Sequence, residues 1–193
     1  MEPLASHIRP QSLKDFVGQG HLVGAGKPLN IAITQGHVFS FVLWGPPGVG
    51  KTTLAKIYAR SLRAHLHELS AVSAGKDDIK KIIASSGEYA GATVLFLDEI
   101  HRFNKAQQDF LLPFVERGTI VLIGATTENP SFEVIPALLS RCRVFVLKEL
   151  NEQEMARIIE RTEIAMDDDA KAWLIRMANG DARQAITVLE IAH

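Results

Sequence analysis

The sequence predicts an α/β protein in which a five-stranded parallel sheet, with helices on both faces, is followed by a small helical domain. Segments of strand length alternate with helix-forming segments between residues 38 and 147, and beyond Lys148 only helical patterns follow. The run at residues 38–44 is continuously apolar, which is typical of a strand that is covered on both faces. We therefore predict a sheet domain at residues 1–148 and a helical domain at residues 149–193.

Local patterns predict the elements in order. The opening segment, residues 8–19, is polar and broken by Pro10 and Gly18, so we expect it to lie against a larger unit. The predicted strands span residues 38–44, 65–70, 92–98, 119–125 and 144–147. The predicted helices of the first domain span residues 29–35, 54–60, 104–116 and 136–140, and one more lies at the end of the segment 73–83. Those of the second domain span residues 151–161, 167–178 and 180–189.

A glycine-rich segment joins the first predicted strand to a helix and fits the phosphate-binding pattern G-x-x-x-x-G-K-[ST] in the required setting. Its glycines let the backbone approach a ligand closely, and successive N–H groups there can converge on an anion. Lys51 adds a cation near the outer phosphates, and Thr52 offers a hydroxyl to Mg²⁺. The segment comprises Gly45, Pro46, Pro47, Gly48, Val49, Gly50, Lys51, Thr52 and Thr53. Because a strand and a helix flank it, we favour a nucleoside triphosphate site with magnesium over a surface turn that fits the pattern by chance.

Two acidic residues, Asp98 and Glu99, end the third predicted strand. Side chains at the carboxyl end of a parallel strand project into the crevice where α/β sheets bind ligands. Asp98 is placed to hold the Mg²⁺ shell, and Glu99 to orient and polarise a water for attack on the γ-phosphate. Alone, such a pair would more often be a cap or a surface turn. The phosphate-binding segment upstream favours the catalytic interpretation.

Other polar residues leave alternatives open. Residues 126–129 would lie beside Asp98 if the third and fourth strands are neighbours, but they are equally typical of a turn. His65 and His67 share one strand face, and we favour a solvated face over a metal pair. Cys142, the single cysteine, excludes an internal disulfide and a cysteine-based zinc site, and we interpret it as a small residue at a strand start.

Composition limits the classes of partner. With 193 residues, 47% of them hydrophobic, the chain can bury a core, and its formal net charge of −1 gives no overall attraction to nucleic acid or membrane. No apolar run approaches the roughly 20 residues that a membrane span needs. The first residues also lack the pattern of an export signal. We therefore expect a cytoplasmic protein without a membrane partner.

The motifs together resemble those of the AAA+ ATPases, in particular the clamp-loader-like branch. The glycine-rich loop and the acidic pair are followed by Ser-Arg-Cys at residues 140–142 and by Gly-Asp-Ala-Arg at residues 180–183. Within that branch, residues 98–108 and 123–133 resemble the replication-associated recombination protein family, with its bacterial members and the eukaryotic Werner-helicase-interacting proteins. The resemblance covers nearly the whole chain. Because that family continues past the position of His193, we interpret the chain as an N-terminal AAA+ fragment.

The resemblance implies ATP as the nucleotide and adds five site residues. Backbone at Val17 and Gly18 would read the adenine edge, and Thr126 would be the sensor that helps to hold the attacking water or the γ-phosphate. Arg141 would be an arginine finger that acts in trans on a neighbouring subunit, and Arg183 would reach the phosphates from the helical lid. The residues themselves leave alternatives, since Arg141 also fits a surface residue at a helix end and Arg183 also fits an ion pair with Asp181.

The resemblance also implies partners. The family acts on DNA at stalled or damaged replication forks and is usually tetrameric. We therefore expect forked or single-stranded/double-stranded junction DNA, further copies of the chain, and replication proteins such as a single-stranded-DNA-binding protein, with a location at the nucleoid. The DNA-contacting positions of relatives correspond to Ser73, Lys76, Lys80 and Lys81. Neighbouring Asp77 and Asp78 dilute that charge, so a solvated helix face is the alternative.

These observations predict an ATP-hydrolysing module, stimulated by DNA in its assembled form, that serves replication, recombination and repair. A nucleotide-gated scaffold, which binds ATP to organise replication partners and hydrolyses little of it, is the alternative. A small-molecule P-loop kinase is disfavoured by Glu99 beside Asp98 and by the helical tail that carries Arg183.

Overall fold

The computed structural model describes residues 3–87 and 91–192, and its centre is a sheet of five strands. The strands are β1 (Phe41–Trp44), β2 (His65–Ser70), β3 (Thr93–Asp98), β4 (Val121–Thr126) and β5 (Arg143–Val146). They lie in the order β2-β3-β4-β1-β5, and all four neighbouring pairs are parallel. The predicted five-stranded parallel sheet is therefore confirmed, and β3 and β4 are neighbours.

Eleven α-helices connect and cover the strands in the described part of the chain, together with one 3₁₀ turn at Ile100–Arg102. Those before β3 are α1 (Leu4–His7), α2 (Gly20–Val23), α3 (Pro28–Gln35), α4 (Lys51–Ser61) and α5 (Lys76–Ser85). Those that follow are α6 (Lys105–Glu116), α7 (Pro130–Glu133), α8 (Pro136–Leu139), α9 (Glu152–Glu160), α10 (Asp168–Ala178) and α11 (Ala182–Ala192). None of the described helices has both the length and the hydropathy to cross a membrane.

Both faces of the sheet are covered, as the apolar strands require. On one face, Phe41 and Ile123 pack with buried residues of α2, α3 and α4. On the other face, Leu95 and Leu122 pack with buried residues of α5, α6 and α8. Successive side chains of one strand therefore enter opposite cores, which explains why β3 and β4 are almost wholly apolar.

The three C-terminal helices pack around a third core of their own. It contains Met155 and Ile159 of α9, Leu174 of α10 and Leu189 of α11. Helix α1 lies against α11, where the Leu4 backbone N–H donates to the Glu190 carboxylate at 2.9 Å. The division into domains at residue 148 stays a prediction.

Most helix boundaries follow the capping signals of the sequence. Asn104 and Asn151 each form a capping box with the residue three positions on, and Gly36 ends α3 in the left-handed conformation. The short helices α1, α2 and α7 lack the periodicity that predicts a helix and were not foreseen. Strand β1 begins three residues later than residue 38, because the backbone at His37 and Phe39 bonds to the Tyr58 hydroxyl instead of a neighbouring strand.

Gln108 of α6 joins the sheet domain's second core to the segment that leads into α8. Its side-chain nitrogen donates to the carbonyls of Phe103 and Glu133, both at 2.9 Å, and its side-chain oxygen accepts from the Ile135 N–H at 2.8 Å. The side chain is 1% exposed, so water cannot replace these partners. One buried amide therefore holds the backbone between the end of α7 and the start of α8.

We expect Gln108→Leu to lower the free energy of unfolding by about 2–4 kcal/mol, because leucine has a similar volume but leaves three backbone groups unpaired. Urea unfolding measures the loss. The matched control is Asp109→Ala, an exposed position on the same helix, where we expect a change within about 0.5 kcal/mol. Equal effects of the two substitutions would contradict the role of Gln108.

Candidate functional site

A cavity opens at the carboxyl ends of the strands, between the sheet and the C-terminal helices. Its floor is the glycine-rich segment from Pro47 to Thr53, and Asp98, Glu99 and Thr127 reach it from the ends of β3 and β4. The N-terminal segment contributes Phe16 and Val17, and the C-terminal helical region contributes Ile158, Arg161 and Arg183. The acidic pair and residues 47–53 of the phosphate-binding motif are thus brought together around one space, whereas Gly45 and Pro46 are not among the residues that line it.

The glycine-rich segment has the backbone conformation that its sequence requires. Gly48 and Gly50 have φ angles of +70° and +98°, which disfavour a side chain. A Cβ at Gly48 would lie 1.8 Å from the Asp181 carboxylate, and one at Gly50 would lie 2.7 Å from the Phe16 ring. The loop is therefore packed closely between the N-terminal segment and the start of α11.

Lys51 is held inside this loop. Its Nζ donates to the carbonyls of Gly45 and Pro46, each at 2.7 Å, and the residue is only 9% exposed. Burial lowers the pKa of Lys51, while the carboxylates of Asp98 and Glu99 oppose that change. The pull of these carboxylates on the pKa also shows that both motifs lie within electrostatic reach of one cation.

The acidic pair adopts an unusual turn. Glu99 has a φ angle of +53°, in the left-handed region that non-glycine residues seldom occupy, and its backbone N–H donates to Asp98 Oδ1 at 3.1 Å. Strain of this kind is concentrated at functional sites. The turn leads directly into the 3₁₀ segment, which brings His101 back towards Glu99.

Thr126 and Thr127 have different surroundings at the end of β4. Thr126 is fully buried, and its hydroxyl bonds to His101 Nδ1 at 2.9 Å and accepts from the Glu128 N–H at 3.0 Å. Thr127 lines the cavity instead. Thr126, which the sequence predicted as the sensor, is buried beside Thr127, and its role as the sensor stays a prediction.

The N-terminal segment is fixed against the chain that follows β5. The Gln19 side chain donates to the Lys148 carbonyl at 2.7 Å and accepts from the Lys148 N–H at 2.9 Å. Gly18 has a φ angle of +86° and lies against Leu150, while Val17 lines the cavity. The segment therefore lies against a larger unit, as its polar and interrupted sequence predicted, and it forms one wall of the cavity.

The two predicted arginines lie in different places. Arg183 lines the cavity, and its charge contributes to lowering the pKa of Lys51. Arg141 is not among the described residues that line it. Its guanidinium donates to the Ala137 carbonyl at 2.7 Å and to the Ser140 hydroxyl at 2.9 Å, and it pairs with the Glu116 carboxylate. The structure thus separates Arg141 from the cavity of its own chain.

The predicted DNA contacts lie on and before α5. Lys80 pairs with Asp77 at 2.9 Å, and Lys81 lies 3.8 Å from Asp78, so both charges are partly offset within the helix. Lys76 lies above the Phe110 ring, 6.0 Å from its centre, and Ser73 is in the turn before the helix. The acidic neighbours dilute this surface, as the sequence indicated.

The structure also shows the surroundings of Cys142 and of the histidine pair, His65 and His67. Burial raises the pKa of the Cys142 thiol to about 12, which keeps it protonated and unreactive. The rings of His65 and His67 contact each other with centres 4.5 Å apart. Among residues 3–87 and 91–192, no group of three or more histidine, cysteine, aspartate or glutamate side chains is arranged to hold a metal ion.

Phe16 and Thr127 lie within segments that the sequence had singled out, whereas sequence reasoning missed His101 and Arg161. Each depends on tertiary packing, although the position of His101 three residues after Asp98 was a visible signal. The oxygen groups of Thr52 and Asp98 both line the cavity and suit Mg²⁺, which prefers hard oxygen ligands. The site therefore fits a magnesium-bound triphosphate.

Known proteins resemble this chain over most of its length. A family model described as "ATPase family associated with various cellular activities (AAA)" matches residues 41–150. Replication-associated recombination protein A of Coxiella burnetii is 48% identical over 98% of this chain and 46% of its own length. ATPase WRNIP1 of Dictyostelium discoideum is 47% identical over 98% of this chain and 23% of its own length. The chain therefore spans less than half the length of these curated relatives.

A solved structure has the same fold. The RuvB Holliday junction branch migration motor of Thermotoga maritima superimposes with a TM-score of 0.75 at 32% sequence identity. The match covers 93% of this chain and 63% of that one. The likeness extends from the sheet into the C-terminal helices.

We expect the affinity for ATP to fall as the pH is raised from neutral towards the ordinary lysine pKa of 10.5. Burial lowers the pKa of Lys51, so its charge is lost at a lower pH than that of an exposed lysine, and an anion then binds less tightly. Calorimetric titration across this range measures the decline. Lys51→Arg is the control, because a guanidinium keeps its charge throughout. A wild-type affinity for ATP that does not change between neutral pH and pH 10.5 would contradict the prediction.

Proposed function

The chain belongs to the AAA family of ATPases, and we propose that it binds ATP with Mg²⁺ in the cavity at the ends of β1, β3 and β4 and hydrolyses it within a DNA-associated oligomer. One observation carries the proposal: Lys51, Asp98 and Glu99 line the same cavity beside a phosphate-binding loop. A cation for the phosphates, a carboxylate for the metal and a second carboxylate for water are the parts that phosphoryl transfer to water requires.

The loop and the helix that follows it bind the phosphates. Residues 48–53 offer backbone N–H groups, and α4 begins at Lys51 with its positive end towards the cavity. Lys51 exchanges its two carbonyl partners for phosphate oxygens when the triphosphate enters. The Thr52 hydroxyl and the Asp98 carboxylate would hold magnesium, which when bound would neutralise phosphate charge as a Lewis acid.

Hydrolysis depends on the Glu99 carboxylate. It accepts a hydrogen bond from the attacking water and orients the oxygen lone pair towards the γ-phosphorus. Thr127 faces the same space and is the polar side chain at the end of β4 that can contact the γ-phosphate or the water directly. Arg183 adds a cation from α11, which stabilises the charge of the transition state.

The opposite end of the cavity receives the base. Phe16, Val17 and Ile158 provide apolar surface there, and the backbone at Val17 and Gly18 can read the edge of the adenine. Gln19 fixes this wall to Lys148, so its position depends on the chain that leads into α9. Nucleotide binding is thereby linked to the orientation of the C-terminal helices, which we assign as the lid.

The names of the relatives support a role for this ATPase activity in replication and recombination. We assign the chain to replication, recombination and repair, acting on forked or junction DNA at stalled forks, in a tetrameric assembly that places it at the nucleoid. Ser73, Lys76, Lys80 and Lys81 remain the proposed DNA contacts, and replication proteins such as a single-stranded-DNA-binding protein are proposed partners. The chain spans less than half of the length of these relatives, so the activity of the whole assembly is part of this proposal.

We expect Glu99→Gln to lower ATP turnover at least about a hundredfold while ATP affinity is kept, because glutamine fills the same space but cannot accept a proton. Steady-state phosphate release and calorimetric binding measure the two quantities, and the exposed Glu163→Gln is the control. Turnover is compared with forked, duplex and no DNA in the assembled protein. Equal turnover of Glu99→Gln and wild type removes the role of Glu99, and a wild type with negligible turnover on every DNA favours the scaffold.

We expect Arg141 to act on a neighbouring subunit. Arg141→Ala and Lys51→Ala each inactivate a homogeneous oligomer, but random mixing of equal amounts restores about a quarter of the sites, where an intact loop meets an intact arginine. Phosphate release by the mixed oligomer measures the recovery. An arginine that acts within its own subunit gives no recovery on mixing.

A further inference from the structure

We propose that His101 is a positioning residue that holds the Glu99 carboxylate in place, and that the buried Thr126 hydroxyl fixes the ring of His101. This inference rests on the proposed ATPase function and adds to it two side chains that do not touch the nucleotide. It also gives Thr126 a role that agrees with its burial, since its side chain is 0% exposed.

The three side chains form a continuous chain of contacts. His101 Nε2 lies 3.2 Å from Glu99 Oε2, and its other ring nitrogen, Nδ1, lies 2.9 Å from Thr126 Oγ1. The His101 side chain is 10% exposed and the Glu99 side chain is 35% exposed. The histidine therefore lies behind the carboxylate as seen from the cavity, between it and the end of β4.

The hydrogen-bonding capacity of these groups decides where the protons are. If the Thr126 hydroxyl donates to Nδ1, the neutral ring carries its proton on Nε2 and donates it to Glu99. If the ring is doubly protonated, both nitrogens donate, and the Thr126 hydroxyl donates instead to the Glu128 carbonyl at 3.2 Å. The remaining neutral form, with its proton on Nδ1, would direct a nitrogen lone pair at the carboxylate and is excluded. In both allowed forms His101 donates to Glu99.

The backbone around His101 is held firmly. Ile100 is fully buried, and a Cβ added to Gly124 of the neighbouring strand would lie 3.0 Å from its side chain. The Arg102 N–H donates to the Glu99 carbonyl at 2.8 Å, which closes the turn. His101 thus projects from a turn that is fixed on the sheet, and a hydrogen bond from a fixed group restricts the carboxylate more than one from a mobile group.

The contact has a direct consequence for the reaction. His101 uses one carboxylate oxygen of Glu99, Oε2, and the carboxylate directs its other oxygen, Oε1, to the attacking water. Without His101, the carboxylate rotates freely and meets the water in the right geometry for a smaller part of the time. The loss falls on the chemical step and not on nucleotide binding, because neither His101 nor Thr126 lines the cavity.

The proton position can be tested on the unmodified protein by ¹⁵N–¹H correlation spectra of the histidine rings. We expect His101 to carry a proton on Nε2, and we expect Glu99→Gln to shift the Nε2 resonance of His101 while that of His21, which bonds to the Val146 carbonyl, stays unchanged. A neutral ring protonated on Nδ1, or a His101 resonance that ignores Glu99→Gln, overturns the proposal. This result does not depend on any ATPase activity.

Kinetics test the consequence. We expect His101→Ala to lower kcat about ten- to a hundredfold, as a misplaced catalytic group does, with the KM and affinity for ATP unchanged within about twofold. His101→Gln, whose amide can donate to Glu99 and accept from Thr126, is expected to restore most of kcat. The exposed His37→Ala is the matched control and should equal wild type.

The double variant separates positioning from a general loss of structure. In a Glu99→Gln background, His101→Ala is expected to lower turnover no further, because the group that it positions is already gone. An additive loss, or a fall in ATP affinity with His101→Ala, overturns the positioning role. A wild type without turnover overturns the proposed function instead, and the spectra then decide whether His101 holds Glu99.

Discussion

The parallel pairing of β3, β4 and β1 is the constraint on which the rest of the site depends. Trp44 is paired with Thr126, and Leu97 with Gly124, so the three strands end at the same edge of the sheet. The glycine-rich loop starts after Trp44, and the acidic pair starts after Leu97. Because both faces of the sheet are buried, a slip of one residue would exchange the side chains between two different cores. The hydrophobic core therefore fixes the distance between the loop and the carboxylates.

Positively and negatively charged side chains lie close together around Lys51 in the site. Burial disfavours the charged form of Lys51, and Arg183 adds to that effect, while Asp98, Glu99 and Asp181 favour it. The two carbonyl hydrogen bonds of Lys51 and the neighbouring carboxylates offset much of the cost of burying its charge. A triphosphate with its metal supplies negative charge to the lysine and positive charge to the carboxylates. The site is thus complementary to that pair of ligands and not to an anion alone.

Local sequence was sufficient for the strands, the loop and the acidic pair, because each depends on a short pattern. Strand β2 has the bounds that its alternation predicted, and the capping boxes at Asn104 and Asn151 begin their helices as expected. Residues whose roles depend on tertiary packing could not be assigned from the sequence. Thr127 and Thr126 are adjacent, and only the register of β4 decides which one faces the cavity. The role of His101 requires that β3 and β4 be neighbours, which no local pattern reports. Helix α1 is too short to be stable alone and depends on its contact with α11.

Under its proposed role in trans, Arg141 would leave a weak contact in its own subunit to complete the site of a neighbour. Its ion pair with Glu116 is at the surface, where both side chains are about two-fifths exposed, at 40% and 41%. Exposed pairs of this kind contribute only about 0–1 kcal/mol. A guanidinium that meets a phosphate in a desolvated site forms stronger, charge-assisted hydrogen bonds. Exchanging Glu116 for the phosphate of a neighbouring subunit therefore costs little. Gln108 anchors the α7–α8 segment to the core, and Arg141 follows this segment at the surface. Under the proposed role in trans, the buried amide that stabilises the fold would also determine where Arg141 is presented to a second copy of the chain.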